Sequence, residues 1–483
     1  MKIKPISSVF IVCTLLTVSS FIYTSNLAHN SLKDLTFQID TLATNLRVPW
    51  QIAFLPDRSM LFTERPGRLR VFRNDKLIER PIFTVADVKT DGKTGLLGLA
   101  VHPEFSANHF IYLANNYMND NSMRLRITRY ILANDTLTNA KVILENIPAN
   151  RNHTGCRLIF GPDKKLYVTT GDADQPMLAQ DLKAYNGKIL RLNDDGTIPL
   201  DNPFIKNDTA RKEIWSYGHR NTQGLAFQPL TNVLFNSEHG PTGGDELNII
   251  VAGANYGWPV IHHRETKNGM VSPLLEYTPS IGPSEAVFYN HAAFPELKGN
   301  LLVACLRGEE ILRIQLDKQK VIGQEVLFKN TFGRIRSLVI GPDGYIYLST
   351  SNYDPPEGHG SPPSDLLLRI RPGKGALKKI SYQTSIPAAK KTAQNIKSKT
   401  IKNGRSLIFQ QMCASCHSNI AGRQASATDF SKGKFNYGAD KKSIIKNITI
   451  GIPEKGMPSW KGAISSLEIE KLANYIRTLQ RKH

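Results

Sequence analysis

One phrase recurs along most of this chain: a proline with an acidic or polar neighbour, a short spacer, then a β-rich run. It reads LPDRSMLFTERPGRLRVF from Leu55, HPEFSANHFIYLANNY from His102 and GPDKKLYVTTGD from Gly161. It returns as QPLTNVLFNSEHG from Gln228, FPELKGNLLVACLRGEEILRI from Phe294 and GPDGYIYLSTSN from Gly341. Successive starts lie 47 to 67 residues apart. Each copy sets a tight turn before a strand, and several run on into a second strand, as at Arg68–Arg73 or Ile311–Leu316. Radial repetition of four-stranded units protects sheet edges, so six copies predict a mainly β fold, a six-bladed β-propeller. A pair of β-sandwiches with coincidental turns is the competing arrangement. The 35 glycines and 27 prolines suit a turn-rich fold and argue against a long helical bundle.

At 483 residues the chain is long enough for more than one domain. Lys2 and Lys4 precede an apolar stretch from Ile6 to Tyr23, and Ala28 offers a cleavage point. Residues 1–28 therefore read as a secretory signal peptide, which implies a periplasmic location; an uncleaved membrane anchor is the alternative. The propeller is expected over 36–372. Residues 373–402 are rich in Lys, Ala and Ser with little periodic apolar content, the composition of a flexible basic linker. From 403 to 483 the pattern turns helical. In the closing segment SLEIEKLANYIRTLQ the apolar positions Leu467, Ile469, Leu472, Ile476 and Leu479 mostly fall on one helical face, with Ser465 or Ser466 as N-cap.

That last region carries Cys413-Ala-Ser-Cys416-His417. Two thiols at this spacing can form thioethers to the haem vinyl groups, and the adjacent histidine supplies an axial nitrogen to the iron. Zinc or thiol redox chemistry uses the same cysteine spacing, but zinc needs a further ligand pair that this tail lacks. Met457, in the Gly-Met-Pro turn of GIPEKGMPSW, is placed to present a thioether as the opposite axial ligand. Residues 403–483 thus read as a small all-α, class I cytochrome c domain holding haem c.

Charge is concentrated in the same place. Of the formal +20, residues 371–483 carry +17 and the remainder only +3. No nucleic-acid recognition motif accompanies it. The basic region can guide an acidic redox partner, rest against an anionic membrane surface, or simply keep the protein soluble. Five cysteines are too few for a secreted disulfide scaffold; Cys156 and Cys305 are left as free thiols or one bridge.

In the β region, NRNHTGCRLIFGPDKKLYVTTGD sets His153 before a Gly turn and Asp172 at the end of a strand. A histidine whose tautomer is fixed by a carboxylate can take a hydroxyl proton. Arg220 and Asn221 sit at a strand–turn junction, Arg334 and Arg336 share an alternating face, and Arg307 ends another strand. Arginines gathered from several blades converge near a propeller axis, where they can clamp an anionic ligand.

The ordered series VPWQIAFLPD, GLLGLAVHPEF, NHTGCRLIFGPDKKLYVTTGD, YGHRNTQGLAF, SEHGPTGGDELNIIVAGANYGWP and RIRSLVIGPDGYIYLST resembles the soluble pyrroloquinoline quinone (PQQ)-dependent aldose sugar dehydrogenases. The resemblance spans roughly residues 36–372 and implies a six-bladed propeller. It implies that His153 is the base for the anomeric hydroxyl, that Asp172 orients it, and that Arg220 and Asn221 lie on the quinone. It further implies that the Gly240 and Pro241 carbonyls hold calcium, that Asp245 lies near the cofactor, and that Arg334 and Arg336 bind its carboxylates. Lys93 stands where the family commonly has Gln, and Arg307 where it has Lys, so both keep positive charge at the quinone. Thr278 falls where some members place an aromatic residue over the substrate. The expectation is a quinohaemoprotein that oxidises an aldose or sugar aldehyde and passes electrons through haem to a one-electron acceptor. A non-catalytic propeller tethered to a cytochrome is the alternative; a lactonase would need carboxylates at the axis, where these motifs supply arginines.

Overall fold

In three of its six copies the recurrent phrase works through one short-range device. In GPDKKLY the Asp163 carboxylate accepts the Lys165 N–H at 3.1 Å and the Tyr167 hydroxyl at 3.0 Å. In GPDGYIY Asp343 accepts the Tyr345 N–H at 3.0 Å and the Tyr347 hydroxyl at 2.8 Å. Asp57 likewise accepts the Ser59 N–H at 2.8 Å. A carboxylate bonded two residues ahead closes the turn, and the tyrosine four residues ahead ties it to the strand it launches.

The computed structural model describes residues 36–354, 364–373, 375–376, 380–381, 437–452 and 466–480, with Phe409, Cys413, His417, Phe430 and Phe435. The strands form six antiparallel sheets. The first blade contains Pro49–Phe54, Met60–Glu64, Arg68–Arg73 and Lys76–Leu77, and the second Leu96–Val101, Phe110–Asn119, Ser122–Ala133 and Thr136–Pro148. The third contains Leu158–Phe160, Leu166–Thr170, Lys188–Leu192 and Ile214–Tyr217; the fourth Thr222–Phe227, Leu234–Glu238, Asp245–Ile250 and Leu275–Tyr277. The fifth is Pro283–Phe288, Leu301–Cys305, Glu310–Asp317 and Lys320–Leu327. In the sixth, Ile335–Ile340, Ile346–Thr350 and Asp365–Pro372 are joined by Thr36–Leu46 from the other end of the chain. All six turn phrases connect the first strand of a blade to its second.

Ring closure is a strand exchange: Ile39 pairs with Ile370 and Leu46 with Asp365. The closure also extends past residue 372, where a linker was expected to begin. Gly375–Ala376 pairs with Thr36 and Phe37, and Ile380–Ser381 pairs with Glu325 and Val326 of the fifth blade. The backbone groups of this stretch find sheet partners, and its polar composition concealed that. The rest of the expected linker, like residues 1–28, lies outside the described residues.

The hydrophobic core is a ring of layers between blades. Ile111 and Leu113 pack toward the first blade, whereas Tyr112 and Ala114 pack toward the third. Leu301, Val303 and Cys305 face the fourth blade; Leu302 and Ala304 face the sixth. Successive side chains of a strand point to opposite faces, and here both faces are covered. That is why LLVAC and FIYLA are apolar at every position.

Toward the C-terminus, Lys441–Ile450 is a helix capped by Asp440, whose side chain accepts the Ser443 N–H at 3.0 Å. It packs Ile444 and Ile448 against Ile469, Leu472, Ala473 and Ile476 of the helix Ser466–Gln480. Leu479 is partly buried, and Leu467 is the one of the five apolar positions that is exposed. Two helical positions before Ile469 is a rotation of about 200°, so Leu467 cannot share its stripe, and Ala473 takes the place at the contact. Cys156 and Cys305 are separate buried thiols rather than a bridge. Burial raises both, so neither is a reactive thiolate.

Candidate active site

Antiparallel blades place alternate connections at the same end. First strands begin, and second strands end, on one face of the propeller; the turn phrases all lie on the other. Lys93, His153, Arg220, Asn221 and Arg334 precede first strands, and Arg336 is the second residue of one. Asp172, Gly240, Pro241 and Arg307 follow second strands, and Asp245 opens a third. Every propeller residue singled out from sequence therefore belongs to a single face.

At its centre His153 Nδ1 lies 2.8 Å from Asp172 Oδ1 and 3.3 Å from Asp174 Oδ1. The approach depends on glycine: a Cβ on Gly171 would stand 1.9 Å from the His153 carbonyl oxygen. Asp172 is sealed in, with a side chain 1 % exposed against 19 % for His153. Its Oδ2 accepts the Trp258 indole N–H at 2.8 Å, and its backbone N–H donates to the Arg220 carbonyl at 2.9 Å. Burial pushes this carboxyl up, but the His153 hydrogen bond and charge, the Arg220 charge and the Trp258 N–H together hold it below the usual carboxylate range. An ionised Asp172 keeps the imidazole proton on Nδ1 and leaves Nε2 as the basic nitrogen.

Beside this dyad, Arg220 Nη1 donates to the Gly240 carbonyl at 2.7 Å and the His239 carbonyl at 3.2 Å. Burial pulls its pKa down, opposed by nearby carboxylates, Asp172 foremost. His239 donates through Nε2 to the Pro283 carbonyl at 2.9 Å. Burial, with Lys93, Arg336 and Arg220 around it, holds His239 well below the ordinary imidazole value, so its ring is neutral. Asn221 accepts from Gln223 Nε2 at 3.1 Å.

Deeper on the axis, Arg336 and Arg65 both pair with the buried Asp354, and Arg336 Nη1 donates to Gln223 Oε1 at 3.1 Å. Arg334 donates through Nε to the Ser351 carbonyl at 3.2 Å. Burial lowers Arg336 to about 10, with Asp354 opposing and Arg334, Arg65 and Arg157 adding to the shift. Arg157, fully buried, lies over the Trp50 ring and 3.1 Å from Glu285. Lys93 is half-buried, with its charge felt at His239 and Asp354; Arg307 is exposed, with its charge felt at Asp245.

Reading the sequence missed Arg65, Arg157, Asp354, His239 and Trp258. The signal for Asp354 was present, since IYLSTSNYD parallels LYVTTGD and ends the equivalent strand. Asp245, expected near the cofactor, is buried beside Gly240 and ties that loop to the one that leads into the fifth blade. Its Oδ1 accepts the Gly240 N–H at 2.9 Å, and its Oδ2 accepts the Ser280 hydroxyl at 2.6 Å and the Gly282 N–H at 2.7 Å. Asp245 thereby sets the position of the Gly240 carbonyl rather than offering charge outward.

Several buried donors of this cluster lack a hydrogen-bond partner: Arg157 Nη1 and Nη2, close to Glu285, and both Arg220 Nε and Arg336 Nε. A flat anion carrying carboxylates and carbonyls fits such a set of guanidinium groups, because charge-assisted bonds would satisfy the Arg220 and Arg336 donors. The Gly240 carbonyl is the right kind of oxygen for calcium, though here it is already bonded to Arg220. Toward the C-terminus, His417 stacks on Phe430 with centroids 4.2 Å apart, and Cys413 packs against the helical core. Cys416 and Met457 lie outside the described residues.

Residues 46–356 match the family described as glucose/sorbosone dehydrogenase. Residues 400–476 match that described as cytochrome c oxidase, cbb3-type, subunit III. The aldose sugar dehydrogenase YliI of Escherichia coli is 36% identical over 334 residues, covering 65% of this chain and 90% of its own. The crystal structure of the soluble aldose sugar dehydrogenase from Escherichia coli in its apo form superposes with a TM-score of 0.65 at 34% identity, covering 70% of this chain and 100% of its own. The PQQ-bound aldose sugar dehydrogenase of Streptomyces coelicolor gives 0.62 at 30% identity, covering 70% and 98%. With its six blades and its basic axial site, the chain belongs to the glucose/sorbosone dehydrogenase family, as a PQQ-type sugar dehydrogenase propeller fused to a C-terminal cytochrome c domain.

Proposed function

We propose that this protein is a periplasmic quinohaemoprotein that oxidises an aldose, or a related sugar aldehyde, at the anomeric carbon and delivers the electrons to its own haem c. The observation that carries the reading is the His153–Asp172 pair opening beside Arg220 on the same face as the buried arginine cluster. Nε2 of His153 takes the proton of the anomeric hydroxyl, and Asp172 stabilises the imidazolium that forms. When bound, pyrroloquinoline quinone supplies the two-electron acceptor for the hydride on the anomeric carbon. Arg220 stands where negative charge develops, and its guanidinium is fixed in advance by two carbonyls. Arg336, Arg334 and Lys93 would hold the anionic cofactor, and Asn221 and Arg307 border it. The Gly240 and Pro241 carbonyls are the ligands we assign to calcium.

Cys413 and Cys416 would hold the haem covalently, and His417 and Met457 are the residues we assign to its iron. A haem held on the same chain would be at high local concentration for the propeller, which would make electron exit intramolecular. The +17 of residues 371–483 then faces an acidic one-electron acceptor or an anionic membrane surface. A propeller that only bound a partner would need no sealed histidine–carboxylate pair beside unpartnered guanidinium donors. The test is direct: load the full chain with quinone and calcium, add aldoses, and follow haem absorbance. Reduction that depends on sugar supports the reading, and its absence across an aldose panel sinks it.

A further inference from the structure

We infer that Trp258 is a positioning residue for the reacting pair: its indole N–H locks Asp172 against His153, while its ring supports Arg220. The inference rests on the proposed oxidation for its consequence, but its geometry stands apart from it. The third strand of the fourth blade ends at Ile250 and the fourth begins at Leu275. By the alternation of the blades, this connection belongs to the face opposite the site. Instead the chain climbs back along the third blade, where Asn255 bridges Tyr217 in parallel and the Tyr256 N–H donates to the Tyr217 carbonyl at 2.8 Å. Gln180 and Asn255 exchange side-chain amide bonds at 3.0 and 2.8 Å, and Gln180 Nε2 also donates to the Trp258 carbonyl at 2.7 Å. The Trp258 N–H donates to the Gly218 carbonyl at 2.9 Å.

Every polar atom of Trp258 is thus engaged, and the indole N–H ends on Asp172 Oδ2 at 2.8 Å. The Arg220 guanidinium carbon lies 5.4 Å from the ring centroid. Core packing does not account for the residue: among the described residues it belongs to none of the apolar clusters and stays half-exposed. Asp172 has two oxygens, and His153 and the Asp174 N–H share the first. Trp258 occupies the second, so the carboxylate cannot turn. The charged and titratable groups around the pair are His153, Asp174 and Arg220, with His239 beyond His153. Trp258 is the neutral donor that leaves this balance of charge unchanged while fixing direction.

The test uses the full chain as isolated, without sugar or quinone. With tryptophan labelled at the indole nitrogen, the four side chains are resolved by NMR, and Trp258→Phe assigns the one that matters. In the wild type, the Trp258 indole resonance should follow protonation of the Asp172 carboxyl, itself read by carbon NMR. Trp258→Phe keeps a ring beside Arg220 but removes the donor, so Asp172 should protonate about half a pH unit higher. In the loaded enzyme, the acid limb of kcat/KM should rise with it, and kcat should fall about tenfold with a smaller change in KM. Gln180→Ala, which frees the loop without touching the pair, should move both readouts the same way by less. An indole resonance indifferent to Asp172, or an Asp172 titration unmoved in both variants, overturns the inference. Loss of sugar oxidation in the wild type would count against the proposed function, yet the Asp172 titration would still decide the role of Trp258.

Discussion

The two faces of the propeller are made from the same strands and differ in almost everything else. On one face, the turns repeat: Asp163 and Asp343 make the same two bonds to a backbone N–H and a tyrosine. On the other face the connections vary, and charged groups pair both within blades, as His153 with Asp172 and Arg336 with Asp354, and across them, as Arg65 with Asp354 and Arg157 with Glu285. Repetition on the first face meets a requirement common to all six blades, namely turning the chain tightly enough to start a strand. Irregularity on the second face collects His153, Asp172, Arg220, Arg336 and Trp258 from different blades.

The difference can be broken from either side. His153→Ala should leave folding intact and cut sugar-dependent haem reduction about a thousandfold, checked by single-turnover absorbance beside an unchanged unfolding temperature. Wild-type turnover in that variant would remove the assigned base. Arg336→Ala should act on both properties. It leaves the buried Asp354 with Arg65 alone, at a cost of about 3 kcal/mol in denaturant unfolding, and it should abolish stoichiometric quinone uptake. Asp163→Ala belongs to the repeating face. It should cost about 2 kcal/mol through its lost turn and tyrosine bonds and its lost pairing with the buried Arg191, which keeps Asp201, with activity per folded molecule unchanged. A large activity loss there would end the separation of roles.

A further effect concerns pH. His219, buried behind the site face, is pulled down to about 3 by burial first, with Lys188 adding to the shift and Glu246 opposing. The unfolded imidazole takes its proton below about pH 6.5, whereas the native one does not until near 3. Its contribution therefore lowers stability as pH falls from about 6.5 toward 3. Urea midpoints measured between pH 7 and 4.5 should decline more steeply in the wild type than in His219→Gln. Equal slopes would count against it.

How much was legible beforehand follows the range of each interaction. The turn phrase, its tyrosine and the strand after it lie within a few residues, so six blades could be counted from the sequence. The haem-attachment motif is local in the same sense. The apolar face of the last helix was legible, with Leu467 the position that lies off it. His153 and Asp172 are 19 residues apart, on either side of the first two strands of the third blade, and their pairing was expected through resemblance rather than through spacing.

By itself, then, the sequence determined the blade count, the buried alternation of the strands and the residues able to attach haem. Each depends on bonds closed within a single turn or strand. Only the tertiary structure decided that Thr36–Leu46 closes the sixth blade, that Arg65 meets Asp354 across 289 residues, and that Trp258 reaches Asp172 across 86. Those contacts exist because the ring closes and brings distant loops to one rim. Local propensity has no reach over such separations, so side chains that look unremarkable in the sequence become the walls and clamps of the site.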